Sequence, residues 1–267
     1  PADVARLTPS SRWILVSLGL STLLPSLDTS IANAGLPVLA RAFDASFTQV
    51  QWVILTYLLS ITALIVGVGR LGDLMGRRRL LLIGVGLFSA ASLLCGLAPN
   101  LGWLLAGRAI QGLGAAIMLA LGMALVGDAL PETRRGRAMG LLGSMSALGT
   151  TLGPSLGGVL IASVGWQAIF LINLPLGLLN ALLVWRYLPV DGPRTSTGFD
   201  LPGTLLLALT LGCFALAITW GQGALLLPTA VGTALFIWRQ AHAKAPLIRL
   251  QVDGTVLRAA VMISTSF

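Results

Sequence analysis

Two residues of this chain could do acid–base chemistry away from water. Asp28 follows 15 uncharged residues after Arg12, and Arg108 stands between uncharged runs of 28 and 19 residues. An ionisable side chain at bilayer depth costs at least about 2.5–3.5 kcal/mol, and is by default a candidate for function. Asp28 lies 15 residues beyond Trp13, about 22 Å along a helix rising about 1.5 Å per residue. Arg108, seven residues after Leu101, is about 10 Å in from the opposite side by the same rise. The two reach similar depths and could pair. Burial favours the protonated form of any carboxyl group, and a nearby cation favours the anion. Displacing Arg108 would therefore switch Asp28 between taking up and releasing a proton, the physical requirement for proton-coupled transport. A static ion pair that fixes helix register is the alternative. Gln111 and Gly112, three and four residues after Arg108, share its helix face and offer a polar amide and a site of close approach.

Membrane-spanning helices must position these residues. Of 267 residues, 56% are hydrophobic and 10% charged, with a mean hydropathy of +0.90. A soluble domain is about 25% charged, so a water-soluble globule is excluded. The uncharged runs of 48 residues (138–185) and 38 residues (201–238) each need two crossings at about 20 residues per pass. Ser163-Val164-Gly165-Trp166 and Gly221-Gln222-Gly223 supply the turns. The expected helices are 13–34, 50–70, 80–97, 101–126, 138–163, 168–186, 201–220 and 224–239. A ninth begins at Val256, and the chain stops at Phe267. Residues 1–12, 187–200 and 240–255 are expected on the cytoplasmic side. The segment 240–255 is read as a linker, with a short amphipathic surface segment as the alternative.

The net charge of +8 comes from 17 Lys and Arg against 9 Asp and Glu. A nucleic-acid partner is not expected, because such a binder gathers its charge on a soluble face. With the N-terminus inside, 15 of the 17 basic residues fall in inner segments, as the positive-inside rule requires. Arg6 and Arg12 ahead of Ala32-Asn33-Ala34 also resemble a signal peptide, but cleavage there would reverse the asymmetry of every later loop. Cys95 and Cys213 lie in apolar runs with no metal or disulfide spacing. The one histidine, His242, is expected in a cytoplasmic loop and leaves no His-based metal cluster. No nucleophile–base pair is evident, so an enzyme is not expected, nor is a cofactor beyond a proton gradient as energy source.

Two further patterns stand out. Gly149, Gly153 and Gly157 recur every fourth residue beside Pro154 and Gly158, a spacing that lets two helix backbones approach closely. Pro154 removes one backbone donor and kinks the helix. After the second helix comes Gly69-Arg70-Leu71-Gly72-Asp73-Leu74-Met75-Gly76-Arg77-Arg78-Arg79. Gly72 and Gly76 suit a tight turn, and Asp73 suits an ion pair or a helix cap.

These residues resemble the major facilitator superfamily. Gly69 through Arg79 is similar to its loop 2–3 motif, Arg108-Ala109-Ile110-Gln111-Gly112 to its helix-four motif, and Gly149 through Gly158 to the helix-five motif of its antiporters. Leu27 through Pro37, with Gly35 in place of the usual alanine, resembles the helix-one signature of the fourteen-helix drug:proton antiporters. Gln51-Trp52 with Tyr57, and Trp166 through Gly177, are similar to the same family. The resemblance implies an all-α membrane protein: an N-terminal six-helix bundle (13–186), two additional helices (201–239) and the start of a second bundle (256–267). It implies export of small amphipathic or cationic compounds in exchange for protons across a bacterial inner membrane, with the C-terminal half of the same protein as partner. Asp28 would be the proton carrier or cation counter-charge, and Arg108 would decide whether it keeps its proton. Gln111, Asn33, Trp52 and Tyr57 would line the substrate path. The helix-five motif would form a hinge and seal against the opposite half. Gly69, Gly72, Asp73, Gly76, Arg77 and Arg78 would control the cytoplasmic gate. An exporter of one metabolite (an amino acid, sugar or siderophore) and a non-transporting sensor or scaffold are the alternatives.

Overall fold

In the computed structural model, residues 9–129, 131–191 and 226–242 are described, with 203, 206, 209–214 and 217 between them. The elements are α1 (Pro9–Ala42), α2 (Phe47–Met75), α3 (Arg77–Gly96), α4 (Leu101–Ala129), α5 (Glu132–Ser163), α6 (Ala168–Leu171), α7 (Asn173–Tyr187) and α8 (Leu226–His242). All are helices, and six stretches are long and apolar enough to cross a bilayer, α6 and α7 counting as one. The chain divides into two units, residues 1–197 and 198–267.

In the first unit, local chemistry sets where the helices start and stop. Ser46 and Gln49 form a reciprocal capping box at the start of α2, with Ser46 N donating to Gln49 Oε1 at 2.8 Å. Asn100 accepts from the Trp103 amide at 2.9 Å to cap α4. Gly76, at φ +93°, makes the sharp turn from α2 to α3, and Gly165, at φ +109°, turns the chain after α5. Both conformations disfavour residues with a Cβ. Gly72, expected in the α2–α3 turn, lies inside α2, where a Cβ would fall 2.9 Å from Leu121 Cδ2 of α4. Its smallness serves packing.

Most of the helices outrun the expected spans, because charge gaps mark only the apolar part of a helix. α1 continues through Pro25 and Pro37 to Ala42; hydroxyls and neighbouring helices serve the carbonyls that proline leaves free in membrane helices. The span expected at 168–186 is broken at Ile172 into α6 and α7. α1 packs chiefly on α5, and α4 on α2 and α3. α1 and α4, which carry the two buried charges, are the most enclosed, each with 61% of its apolar window buried. Two apolar clusters fill the unit, one around Leu18, Leu81, Phe88 and Met118, the other around Ile31, Leu39, Val53 and Phe170.

In the second unit, residues 209–214 are helical and α8 packs on Thr210 through Gly232, where a Cβ would fall 2.4 Å from Thr210 Oγ1. His242 closes α8 and is not a loop residue; Gln240 and Ala241 contain no helix breaker ahead of Pro246. The turn expected at Gly221–Gly223, the start of a helix at Val256 and most of 187–200 and 240–255 lie outside the described residues.

Candidate functional site

Asp28 and Arg108 form a salt bridge, Oδ2 to Nη1, at 2.5 Å with both side chains fully buried. Helix α1 places Asp28 one residue after Leu27 of one apolar cluster and four after Leu24 of the other. The guanidinium lies between rings from the two clusters, its Cζ 4.0 Å from the Tyr57 centroid and 5.7 Å from that of Phe170. Cation–π contact of this kind is worth about 2 kcal/mol or more when desolvated. Gly112 allows the approach of α2: a Cβ there would fall 2.6 Å from the Tyr57 carbonyl oxygen.

A shell of neutral groups completes the pair. Asp28 Oδ1 accepts from Gln111 Nε2 at 2.9 Å and from Asn173 Nδ2 at 2.7 Å. Arg108 Nε donates to the Val53 carbonyl at 3.0 Å, and Nη1 to Gln111 Oε1 at 2.6 Å. Gln111 Nε2 also donates to Ser92 Oγ at 2.7 Å, and the Cys95 thiol lies 3.8 Å from Gln111 Oε1. Residues of α1, α2, α3, α4 and α7 thus hold one carboxylate and one guanidinium without exposed surface, and such a pair survives burial only when its remaining valences are met. Arg108 Nη2 and Asn173 Oδ1 are the two atoms of the shell without a protein partner. The arrangement holds a carboxyl group and a guanidinium together away from water, each bonded by the other and by amide or carbonyl groups.

The sequence pattern carries Asn173 and Phe170 only within the motif at 166–177 and gives no sign of Ser92 as a member of this shell. The usable signal was an uncharged polar residue inside an apolar helix, a weak one, since serine and asparagine there also serve helix packing.

Beside the pair, on a different face of α1, lies an open cavity of about 470 Å³. Its polar lining is Ser26, Thr29, Ser30 and Asn33 of α1 with Thr150 of α5. Of the four residues expected along the substrate path, Asn33 lines this cavity. Tyr57 and Gln111 have no exposed surface and belong to the shell of the pair, with Tyr57 Oη donating to the Pro25 carbonyl at 3.3 Å. Trp52 is half-buried and stands outside the cavity lining.

The helix-five motif is split between two faces. Gly149, Gly153 and Gly157 lie against α1: a Cβ on Gly149 would fall 2.8 Å from the Leu23 carbonyl oxygen, and one on Gly153 would fall 2.3 Å from Ser30 Cβ. These three glycines therefore close the α1–α5 contact within their own bundle. Pro154 and Gly158 face outward. α5 runs through Pro154 as one helix. The Thr150 carbonyl, which would otherwise bond residue 154, accepts from Ser30 Oγ at 2.7 Å.

Where α2 and α4 end and α3 begins, Arg77 bridges Asp73 at 3.0 Å and Asp128 of α4 at 2.6 Å. Asp191, which drew no notice in the sequence, accepts from the Arg78 amide at 2.8 Å and the Arg79 amide at 3.1 Å. It caps α3, whose own N-cap glycine has no side chain to do so. Arg78 donates to the Trp185 carbonyl of α7. A Cβ on Gly69 would meet nothing within 4 Å.

Comparison with known proteins accords with this geometry. The chain is 37% identical over 265 residues to "Multidrug resistance protein Stp" of Mycobacterium tuberculosis (strain CDC 1551 / Oshkosh), covering 95% of this chain and 49% of that protein. It is 36% identical over 201 residues to "Riboflavin transporter RibZ" of Clostridioides difficile (strain 630), covering 74% of this chain and 44% of that protein. The chain thus spans about half the length of the curated relatives it matches. A bacterial homologue of the human lysosomal transporter Spinster, solved inward-facing and unoccupied, superposes with a TM-score of 0.62 at 19% identity, over 86% of this chain and 60% of that one. The sequence model described as "Major Facilitator Superfamily" matches residues 18–264. On its helices, its signature residues and these matches, the chain is a multi-pass membrane protein that belongs to the major facilitator superfamily.

Proposed function

We propose that this chain is the N-terminal part of a proton-coupled antiporter, of the fourteen-helix type, that exports small amphipathic or cationic compounds across a bacterial inner membrane, with its N-terminus cytoplasmic. The observation that carries this reading is the enclosed Asp28–Arg108 pair. Both Asp28 oxygens are engaged, one by the guanidinium and the other by two amides. An anion so held exchanges a proton when the guanidinium withdraws, which favours the role of proton carrier over that of a counter-charge in the substrate cavity.

Rocking of the two halves would couple this exchange to transport. When Arg108 withdraws, Asp28 takes a proton in place of its lost cation; when Arg108 returns, the proton leaves. The cavity beside the pair would hold the substrate against hydroxyl and amide groups, and the Arg77–Asp73–Asp128 bridge would hold the cytoplasmic ends of α2, α3 and α4 together. A named riboflavin transporter among the relatives supports transport of one specific metabolite, with export of such a metabolite as the second reading. A resistance and metabolite-export profile of a deletion strain separates the two.

The test of coupling is Asp28→Asn in a chain that carries both halves, assayed in vesicles. Gradient-driven transport should be lost while substrate counterflow, which needs no net proton movement, persists. Gradient-driven transport at the unsubstituted rate would refute the role.

A further inference from the structure

Five buried side-chain atoms lack a protein partner among the described residues, and three of them lie along one wedge between α1, α3 and α7: Ser89 Oγ, Asn173 Oδ1 and Asn180 Oδ1. The wedge has a regular construction. Asn173 donates to Asp28, and seven residues on, Asn180 donates to Ser21 Oγ at 2.9 Å, itself seven residues before Asp28. The helices run antiparallel, so the two rungs stand about 10 Å apart at about 1.5 Å per residue. Ser21 Oγ donates to the Ser17 carbonyl at 2.9 Å, and Ser17 Oγ to the Ile14 carbonyl at 2.8 Å. Ser17, Ser21 and Asn180 have no exposed surface.

Between the rungs sits Gly177, so close to α3 that a Cβ there would fall on Ser89 Oγ. Ser89 is one turn from Ser92, which belongs to the Asp28 shell. Pro25 adds to the sequence of acceptors, because its missing N–H removes the helical donor of the Ser21 carbonyl. Leu18, Leu24 and Val184 of the same helices are fully buried, and Ser89, half-buried, borders an open apolar cavity with Val85, Leu174 and Leu178. A polar group left without a partner in such a setting costs about 1–3 kcal/mol, whereas leucine or alanine there would cost nothing. Buried polar atoms with spare valences are the usual anchors of internal water.

We propose that this wedge is the inner arm of the proton path: a water-bearing relay that carries the proton from Asp28 to the cytoplasmic end of α1, apart from the substrate cavity on the other face of that helix. It rests on the proposed coupling role of Asp28. The proton leaves the Asp28 carboxyl for water anchored at Asn173 Oδ1 and passes Ser89 Oγ. It reaches water at Asn180 Oδ1 and Ser21 Oγ and leaves through water toward the cytoplasmic end of α1; the Ser21 and Ser17 hydroxyls, which donate to backbone carbonyls, position that water and pass no proton themselves. Each water takes one proton and gives up another, so no intermediate group keeps a charge. Asn180 and Ser21 are positioning residues, since neither touches the substrate.

The test uses a chain carrying both halves, reconstituted in vesicles, with two readouts for each variant. Asn180→Leu removes the amide at similar volume, and Ser21→Ala removes the same rung without adding atoms. Both should lower gradient-driven transport about tenfold or more, the lower end of what a positioned proton-transfer group is worth being about a hundredfold, and leave substrate counterflow unchanged. Asn180→Ser, which puts a hydroxyl where the amide stood, should retain most of the gradient-driven rate. Equal loss of both activities in both variants would mark the rung as merely structural and overturn the relay, as would no loss at all. Asp28→Asn in the same assay separates the two proposals: normal coupling there defeats the role of Asp28 itself, whereas lost coupling there with normal coupling in Asn180→Leu and Ser21→Ala defeats the wedge alone.

Discussion

Alanine at Gly153 and alanine at Gly158 should have opposite effects on stability, although the two glycines belong to one motif. At Gly153 a Cβ would fall 2.3 Å from both Cβ and Oγ of Ser30 and 2.9 Å from the Ser30 carbonyl carbon. The last of these is backbone, so no rotamer change relieves the clash and α1 must move away from α5. Overpacking of this kind costs about 1–3 kcal/mol. The same displacement stretches the Ser30 Oγ bond to the Thr150 carbonyl, 2.7 Å long, and adds about 1 kcal/mol. At Gly158 a Cβ would meet nothing within 4 Å, and alanine in a helix interior gains about 0.5–1 kcal/mol over glycine. The two substitutions should therefore differ by about 2.5–5 kcal/mol. Thermal unfolding of the purified protein in detergent reads this directly: Gly153→Ala should lower the midpoint and Gly158→Ala should leave it level or raise it. Equal midpoints, or the reverse order, would refute the assignment of the glycine face to the α1–α5 contact.

Three further outcomes follow from the same geometry. Removing one member of the buried pair strands the other, so Arg108→Gln and Asp28→Asn should each destabilise by about 3–5 kcal/mol while the double variant costs much less than their sum; a double-mutant cycle of unfolding free energies that proves additive would contradict this. Asp191→Ala should cost about 0.5–2 kcal/mol as the loss of a helix cap, and should speed hydrogen exchange at the Arg78 and Arg79 amides; unchanged exchange there would remove Asp191 as the cap of α3. Cys213 is half-buried and Cys95 fully buried, so a membrane-permeant maleimide should label Cys213 first, read by mass spectrometry, and labelling of Cys95 first would contradict the packing around Gln111.

The charged members of the site were legible in the sequence, and the neutral ones were not. Asp28 and Arg108 declare themselves because a charge inside an apolar run is rare and costly, and helical rise alone puts them at matching depth. Asn173 and Asn180 carry no such mark, since hydropathy barely registers one amide among leucines. Their meaning depends on the antiparallel register of α7 against α1, which no local pattern encodes. Asp128 and Asp191 escaped for a different reason. Each lies in a polar stretch where any acid is unremarkable, and each acts on α3 across a long sequence separation. The glycines of helix five were visible as a close-packing face, but that three of them meet α1 was not. Spacing tells that a backbone can approach and leaves open which backbone does.

The central claim is that Asp28 exchanges a proton as substrate binds, and proton release from protein in weakly buffered detergent solution tests it most directly. With both halves present, adding substrate to the unsubstituted protein should acidify the solution, and adding it to Asp28→Asn should not, with substrate still bound in both. Acidification of the same size from Asp28→Asn would contradict the account, and the buried pair would then be a device for holding α1 against α4.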